Sequence, residues 1–440
     1  MLARLAATLP LIAAACGDNA SPTVGATAGS RLALYGYTLD DGTEQAYPYD
    51  WYDRGRDEQC VREQWSDGAT YCTPFSTAVV YSDASCTAEV ARISPTLIVP
   101  IKYARVLFAS ATGSLLSRLR VLGDPIAVTD FYYSLDAGTC TPHAISDSAT
   151  FRTITDQELT ADAFVRIRRL VDGGGDRFAG LRDVGDDGMV VPIGFHDKEV
   201  GIDCTAAGFA NADTAPCAPL NVAPAAYFTD ATCQSPSVSA EYTGSTDDTI
   251  ELDSGACPRY FAMTQTPATA LYDGTPDHCI ASSPAGTYYA AGPELELGSV
   301  PRTRAPGGTR FAPIELGSPS QHIVDTFVYD AELEVDCAPS QLGRCTPAIV
   351  GMVATLFADP QCTVAIQLGY VPPACGVHAT HVATDTQLFA IGAAHTAPVY
   401  TISTGDICAP ALPLPNLELH ELGASIGLDQ LGTVSYGVLP

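Results

Sequence analysis

From residue 31 onward the chain runs in short stretches of alternating apolar and polar residues, broken by Gly, Pro or Asp-Gly. Val79-Val80-Tyr81, Thr326-Phe327-Val328-Tyr329 and Ala354-Thr355-Leu356-Phe357 have the β-branched and aromatic make-up that suits a pleated, half-buried surface. Asp41-Gly42 and Asp187-Gly188 are hairpin-turn dipeptides, because Gly takes positive φ without steric cost. The pattern predicts strands throughout. Ala161–Leu170 alone is ambiguous between helix and strand.

The runs recur as a long repeat. Its first copy reads Arg31-Leu32, Asp40-Asp41-Gly42, Trp51-Tyr52-Asp53 and Cys60. The second reads Arg177-Phe178-Ala179, Asp186-Asp187-Gly188, Phe195-His196-Asp197 and Cys204. The third reads Arg310-Phe311-Ala312, Val328-Tyr329-Asp330 and Cys337. Asp53, Asp197 and Asp330 each precede their Cys by seven positions. Cys72, Cys217 and Cys345 follow, and then an aromatic-x-Asp-x-x-Cys element ends at Cys86, Cys233 and Cys362. A weaker unit lies between these segments. It opens at Leu107-Phe108-Ala109, Tyr260-Phe261-Ala262 and Leu388-Phe389-Ala390 and closes at Cys140, Cys279 and Cys408. The chain therefore reads as three A–B pairs.

Six small all-β units suit a six-bladed β-propeller, in which radial repetition protects sheet edges. The repeats span about 31–172, 173–305 and 306–423, with a closing strand about 424–440. Gly427-Leu428-Asp429 and Gly432-Thr433-Val434-Ser435-Tyr436-Gly437 resemble the start of a fourth A unit cut short, and in a closed ring such a tail completes the unit begun at Arg31. The alternative is three consecutive β-sandwich domains joined near 172–176 and 305–308.

The N-terminus changes the compartment. Met1-Leu2-Ala3-Arg4 and the apolar run Leu5–Ala15 form a secretory signal, and Leu11–Gly17 matches a bacterial lipobox with Cys16 as the lipidated residue. A signal peptide over 1–16, a tether over 17–30 and a repeat domain over 31–440 follow. Acyl chains contribute about 0.8 kcal/mol per buried methylene, so Cys16 would hold the chain to a membrane by its anchor alone.

Without Cys16, 14 of the 15 Cys remain, an even number that suits a disulfide framework outside the cytosol. Cys60/Cys72, Cys204/Cys217 and Cys337/Cys345 are expected to close hairpins. Cys257 and Cys375 leave alternatives open: Cys233–Cys257 and Cys362–Cys375, or Cys257–Cys279 and Cys375–Cys408. Charge narrows the partners. The 22 Lys+Arg face 50 Asp+Glu, for a net charge of −28, and such a surface argues against nucleic acid as a partner.

Candidate chemistry is sparse. His378, His381 and Cys375 can be read as a metal site, but their spacing suits a helix or loop and not a sheet, and an oxidised Cys375 supplies no thiolate for zinc. Asp183-Val184-Gly185-Asp186-Asp187-Gly188 lacks the alternating spacing of a calcium loop and reads as a turn. Asp53, Asp197 and Asp330 would either converge on a ring axis, where calcium or a cationic ligand could sit, or cap their own turns. Recurrence in every copy favours the turn role. Tyr47, Tyr49, Trp51 and Tyr52 are candidates for a binding face or for core. There is no Gly-x-Ser-x-Gly elbow and no phosphate loop.

The lipobox, the scarcity of Lys and the repeated aromatic-x-Asp-x-x-Cys elements are similar to those of the uncharacterised, internally repeated cysteine-containing lipoproteins of myxobacteria and their relatives. The resemblance spans 1–440 and implies a cell-envelope location, with no catalytic residues to transfer. The expectation is a binding or scaffold module that engages an envelope protein or glycan. The alternative is a propeller hydrolase acting on a glycan or lactone, with calcium at the central channel.

Overall fold

A computed structural model of the 440-residue chain describes residues 25–94, 100–109, 115–136, 139–143, 145, 149–206, 210–239, 249–253, 258–276, 278–284, 287–318, 321–340, 343–348, 350–371, 379–384, 387–403, 407–411 and 418–439. Strands dominate throughout, with 3-10 turns at Ala161–Ala163 and Leu428–Gln430. The ambiguous segment resolves into the first of these turns followed by strand Arg166–Val171. Cys16, Cys257, Cys375 and His378 lie outside the described residues.

Each A unit is an antiparallel meander. In the first, Leu32–Leu39, Glu44–Asp53, Glu58–Gln64 and Thr70–Pro74 pair in order. The second places Phe178–Gly185, Val190–Asp197 and Ile202–Thr205 in the same relation. The third does so with Phe311–Ser318, Gln321–Asp330, Val335–Ser340 and Arg344–Pro347. Gly42 and Gly188, at the tips of the first hairpins, have φ of 86° and 95°, the left-handed conformation for which the sequence supplies Gly.

Three linking strands join the A sheets head to tail. Arg166–Val171 pairs with Thr70–Pro74 on one side and Phe178–Gly185 on the other. Ser299–Arg304 pairs with Thr214–Pro216 and Phe311–Ser318. Val434–Val438 pairs with Leu32–Leu39, while the adjacent Thr433 bridges to Arg344. The C-terminal strand thus closes the chain onto its first A unit.

The apolar core follows the same cycle. Leu32, Trp51 and Cys60 of the first unit pack with Leu181, Met189 and Ile193 of the second. Phe195 and Cys204 of the second pack with Ile314 and Leu316 of the third. Phe311 and Val328 of the third pack with Tyr37 and Leu39 of the first. Fully burying such side chains stabilises by roughly 1.5–3 kcal/mol each. The second strands of the three A sheets touch one another, and Tyr49 donates to the Ile193 carbonyl across 3.1 Å.

The B units are built differently. In the first, Thr77–Tyr81, Glu89–Ile93, Thr150–Glu158, Leu115–Ile126 and Tyr103–Ala109 form a circle closed by a parallel pairing back to Thr77–Tyr81. The third repeats it with Val350–Phe357, Ala365–Val371, Glu418–Ile426, Leu388–Ala394 and His381–Ala383. The second splits its first strand into Ala223–Pro224 and Tyr227–Phe228, but the circle of partners is the same. A hairpin hangs from each circle at Tyr81–Tyr132, Phe228–Tyr272 and Phe357–Tyr400. Closure removes exposed sheet edges.

Six separate four-stranded blades are therefore not what the pairing shows: A sheets share linking strands, and B sheets curl on themselves. Face-to-face packing of neighbouring A sheets is compatible with the sandwich alternative. The expected tether is shorter than 17–30, because Thr27 bridges Val190 and Ala26 and Ala28 pack on the first core cluster. Small side chains there fit between the first and second A units.

Candidate functional site

The three repeated carboxylates are turn and ion-pair residues. Asp53, Asp197 and Asp330 are all but fully buried. Arg31 binds Asp53 through Nε at 2.7 Å and Nη2 at 2.6 Å. Arg177 binds Asp197, and Arg310 binds Asp330, in the same two-pronged way. Each carboxylate also accepts the backbone N–H two residues on, from Gly55, Glu199 and Glu332. Each arginine then reaches a carbonyl just ahead of a linking strand: Ala163, Glu296 or Gln430. One node thus holds hairpin, turn and linker together in every copy. The carboxylates face their own arginines, which leaves them committed to structure.

The Asp-Gly tips latch neighbouring units. Asp187 accepts the N–H groups of Arg31 and Leu32, and Asp41 accepts those of Arg310 and Phe311. Burial pushes the Asp41 carboxyl up, but the Phe311, Arg310 and Thr43 donors outweigh it and hold it below its usual value. A Cβ on Gly29 would fall 2.2 Å from Asp187, and one on Gly308 the same distance from Asp41, so both positions need Gly for the approach. The Asp183–Gly188 segment spreads its carboxylates: Asp183 is buried among arginines, Asp186 faces Arg168 at 3.2 Å, and Asp187 forms the latch.

The aromatic-x-Asp-x-x-Cys element builds a turn. Asp83 accepts from the N–H of Thr87 and Ala88, Asp230 from Thr232 and Ser235, and Asp359 from Gln361, Thr363 and Val364. Burial raises Asp230, yet its hydrogen bonds from Thr232 and Ser235 bring it to about 2. Cys86, Cys233 and Cys362 have φ of 50°, 51° and 53° and join Cys140, Cys279 and Cys408. Cys60–Cys72, Cys204–Cys217 and Cys337–Cys345 close the A hairpins. The pairings Cys233–Cys257, Cys362–Cys375, Cys257–Cys279 and Cys375–Cys408 are corrected by these bonds. The hanging hairpin brings the distant Cys beside the turn, which spacing along the chain does not reveal.

Two pockets break the repeat. The first is a groove of about 220 Å³ between the first A and B units, lined by Tyr35, Tyr52, Phe75, Asp57, Glu58 and Lys102. Tyr52 donates to Asp57, a bond that raises its phenol above the usual range. Glu58 accepts from Lys102 at 3.2 Å and Tyr103 at 3.1 Å. Trp51 is fully buried, Tyr49 packs on the same core cluster and Tyr47 on another, so of the four aromatic candidates Tyr52 reaches this groove. The second is a polar pocket of about 410 Å³ at the junction of the first and second A units and the second B unit, lined by Arg62, Arg169, Asp203, Asn221 and Thr249.

His381 is buried, faces Thr380 at 2.8 Å, and is held below its usual value by burial. Among the described residues, no group of three or more His, Cys, Asp or Glu side chains could hold a metal ion. Among them, no helix is long and apolar enough to cross a membrane.

A family described as a family of unknown function, DUF7481, matches residues 9–431. The chain belongs to that family. No curated protein matches it, and no solved structure does. Family membership thus adds no assigned activity to the geometry. The six disulfides among the described residues fit an exported protein outside the cytoplasm.

The Arg62–Arg169–Asp183 group was not singled out by sequence reasoning. A signal was present: Asp183 stands six residues after Arg177, where the other copies have Tyr37 and Leu316, both fully buried.

Proposed function

We propose that the chain is an exported lipoprotein, anchored through Cys16, that serves as a non-enzymatic binding module for an envelope glycan. The repeat-equivalent carboxylates are consumed by structure, while the Tyr35–Tyr52 groove breaks the repeat and combines aromatic faces with carboxylates. That groove is the observation that carries the reading. Aromatic rings present flat apolar faces to sugar rings, and Asp57, Glu58 and Lys102 offer acceptors and a donor to hydroxyls. The three linked A sheets serve as a rigid frame for this face. The hydrolase alternative has no specific observation in its favour.

Two measurements test it. Cys16→Ser should move the protein from the membrane fraction to the soluble fraction and abolish acyl-chain labelling. Tyr52→Ala should weaken retention on purified peptidoglycan or envelope polysaccharide while leaving the disulfides intact. Retention that is absent in the unaltered protein, or unchanged in the variant, would remove the glycan reading.

A further inference from the structure

We infer that the pocket between the first and second A units is a binding site for a small oxyanion, a phosphate or carboxylate carried on a sugar-sized hydroxylated body. Two of its lining residues, Arg62 and Arg169, meet at Asp183, which is fully buried on strand Phe178–Gly185. Arg169, its cross-strand neighbour, donates through Nε to Oδ1 at 3.2 Å. Arg62, from the first A unit, places Nε 3.3 Å from Oδ2 without hydrogen-bond alignment. Two guanidinium groups thus share one buried carboxylate through their Nε edges. Asp203 stands 3.9 Å from Arg169 Nη1 and is itself bound to His196 at 2.9 Å.

This arrangement departs from the rest of the chain. Arg31, Arg177 and Arg310 each grip their carboxylate with two nitrogens, so their charge is spent inside the fold. Among the described residues, the ion pair of Arg62 is with Asp183, closest through Nε at 3.3 Å, and it lacks the two-pronged grip of the other three. Burial, and then the neighbouring Arg169 charge, hold Arg62 below the usual guanidinium range, as expected when two cations are crowded together. An incoming oxyanion would relieve that repulsion through fork-shaped, charge-assisted hydrogen bonds.

The other copies of the repeat surround the equivalent positions differently. Arg62 lies two residues after Cys60, where the other copies have Ala206 and Pro339. The position of Arg169, opposite Asp183, is Arg302 opposite Leu316 and Tyr436 opposite Tyr37. Arg302 is buried against Asp325 and Asp336, and Tyr436 stacks on Tyr47. Arg169, by contrast, lines a cavity together with Arg62. Its volume of about 410 Å³ exceeds the needs of a bare ion, and Asn221 and Thr249 line it with hydroxyl-recognising groups.

The inference rests on the binding-module reading but uses different residues, so the two can fail separately. The full oxidised chain, purified in detergent, is titrated calorimetrically with glucose 1-phosphate, glucuronate, inorganic phosphate and neutral glucose. One or both charged sugars should bind, with glucose silent, and the preferred one identifies the oxyanion. Arg62→Gln and Arg169→Gln should each lose tenfold or more in affinity, Arg62→Lys less, and Arg259→Gln, at the distant Glu294 pair, nothing. If a variant fails to fold, the guanidinium NMR signals of Arg62 and Arg169 in the unaltered protein should still shift with the charged sugar and stay fixed with glucose. Absence of binding by every charged probe, binding indifferent to both arginines, or guanidinium signals that do not move would each overturn the inference. Loss of Tyr52-dependent glycan retention would leave it standing.

Discussion

Removing Arg310 should loosen the pairing of the C-terminal strand with the first A sheet more than removing its partner Asp330. Asp330 is fully buried and accepts Arg310 at 3.0 and 2.7 Å, together with the N–H groups of Glu332 and Leu333. In Arg310→Gln the carboxylate stays in the interior without its counter-charge, a change that costs about 3–5 kcal/mol. In Asp330→Asn the guanidinium, whose side chain is 15% exposed, still has Glu332 at 3.0 Å and some water. That variant should cost roughly 1–3 kcal/mol, the range for an imperfectly satisfied buried group. Arg310 also holds the Gln430 carbonyl at 2.9 Å, four residues ahead of strand Val434–Val438. Hydrogen exchange read by mass spectrometry should therefore rise first in Val434–Val438 and its partner Leu32–Leu39. At about 1.4 kcal/mol per factor of ten, Arg310→Gln should speed opening there by roughly 100-fold or more. An effect below tenfold, a larger effect in Asp330→Asn, or unchanged protection in both strands would refute the reasoning.

Other consequences are open to direct measurement. Gly308→Ala should lower the thermal midpoint by displacing Asp41, because the new Cβ falls 2.2 Å from its carboxylate, whereas Gly173→Ala meets nothing within 4 Å and should be neutral. Peptide mapping without reductant should recover Cys86 with Cys140, Cys233 with Cys279 and Cys362 with Cys408; recovery of Cys233 with Cys257 would contradict the turn-to-hairpin staple. Breaking Cys60–Cys72, which closes a loop of 12 residues, should cost about 3 kcal/mol by the chain-entropy estimate, read as a shift in the denaturation midpoint. Asp230 is held at about 2 against an ordinary 3.8, so the stability it lends is complete above its ordinary value and is lost as pH falls from about 4 to about 2. Asp230→Asn should flatten the thermal midpoint over that interval, and an unchanged slope would show that the turn is not linked to protonation.

Much of the local structure was legible in the residues. Alternation specified strands, Asp-Gly specified the first hairpin tips, and the recurrence of Arg, Asp and Cys marked equivalent turns, because turn chemistry and period-two burial act over a few residues. The truncated A-like tail needs a sheet to complete, and Val434–Val438 pairs with Leu32–Leu39 of the first A unit.

What tertiary structure decided was everything that depends on partners far apart in the chain. The parallel pairing that curls Thr77–Tyr81 against Tyr103–Ala109 leaves no period of its own, so B units passed for open blades. Cys86 meets Cys140 across 54 residues because a hanging hairpin swings it there, not because spacing favours it. Arg62 and Asp183 lie 121 positions apart, and the crowding of two guanidinium groups over one carboxylate exists only once the first and second A sheets pack together. Local preference is set by each residue's own backbone and neighbours, whereas a charge cluster is set by which surfaces exclude water from each other, and that is a property of the assembled chain.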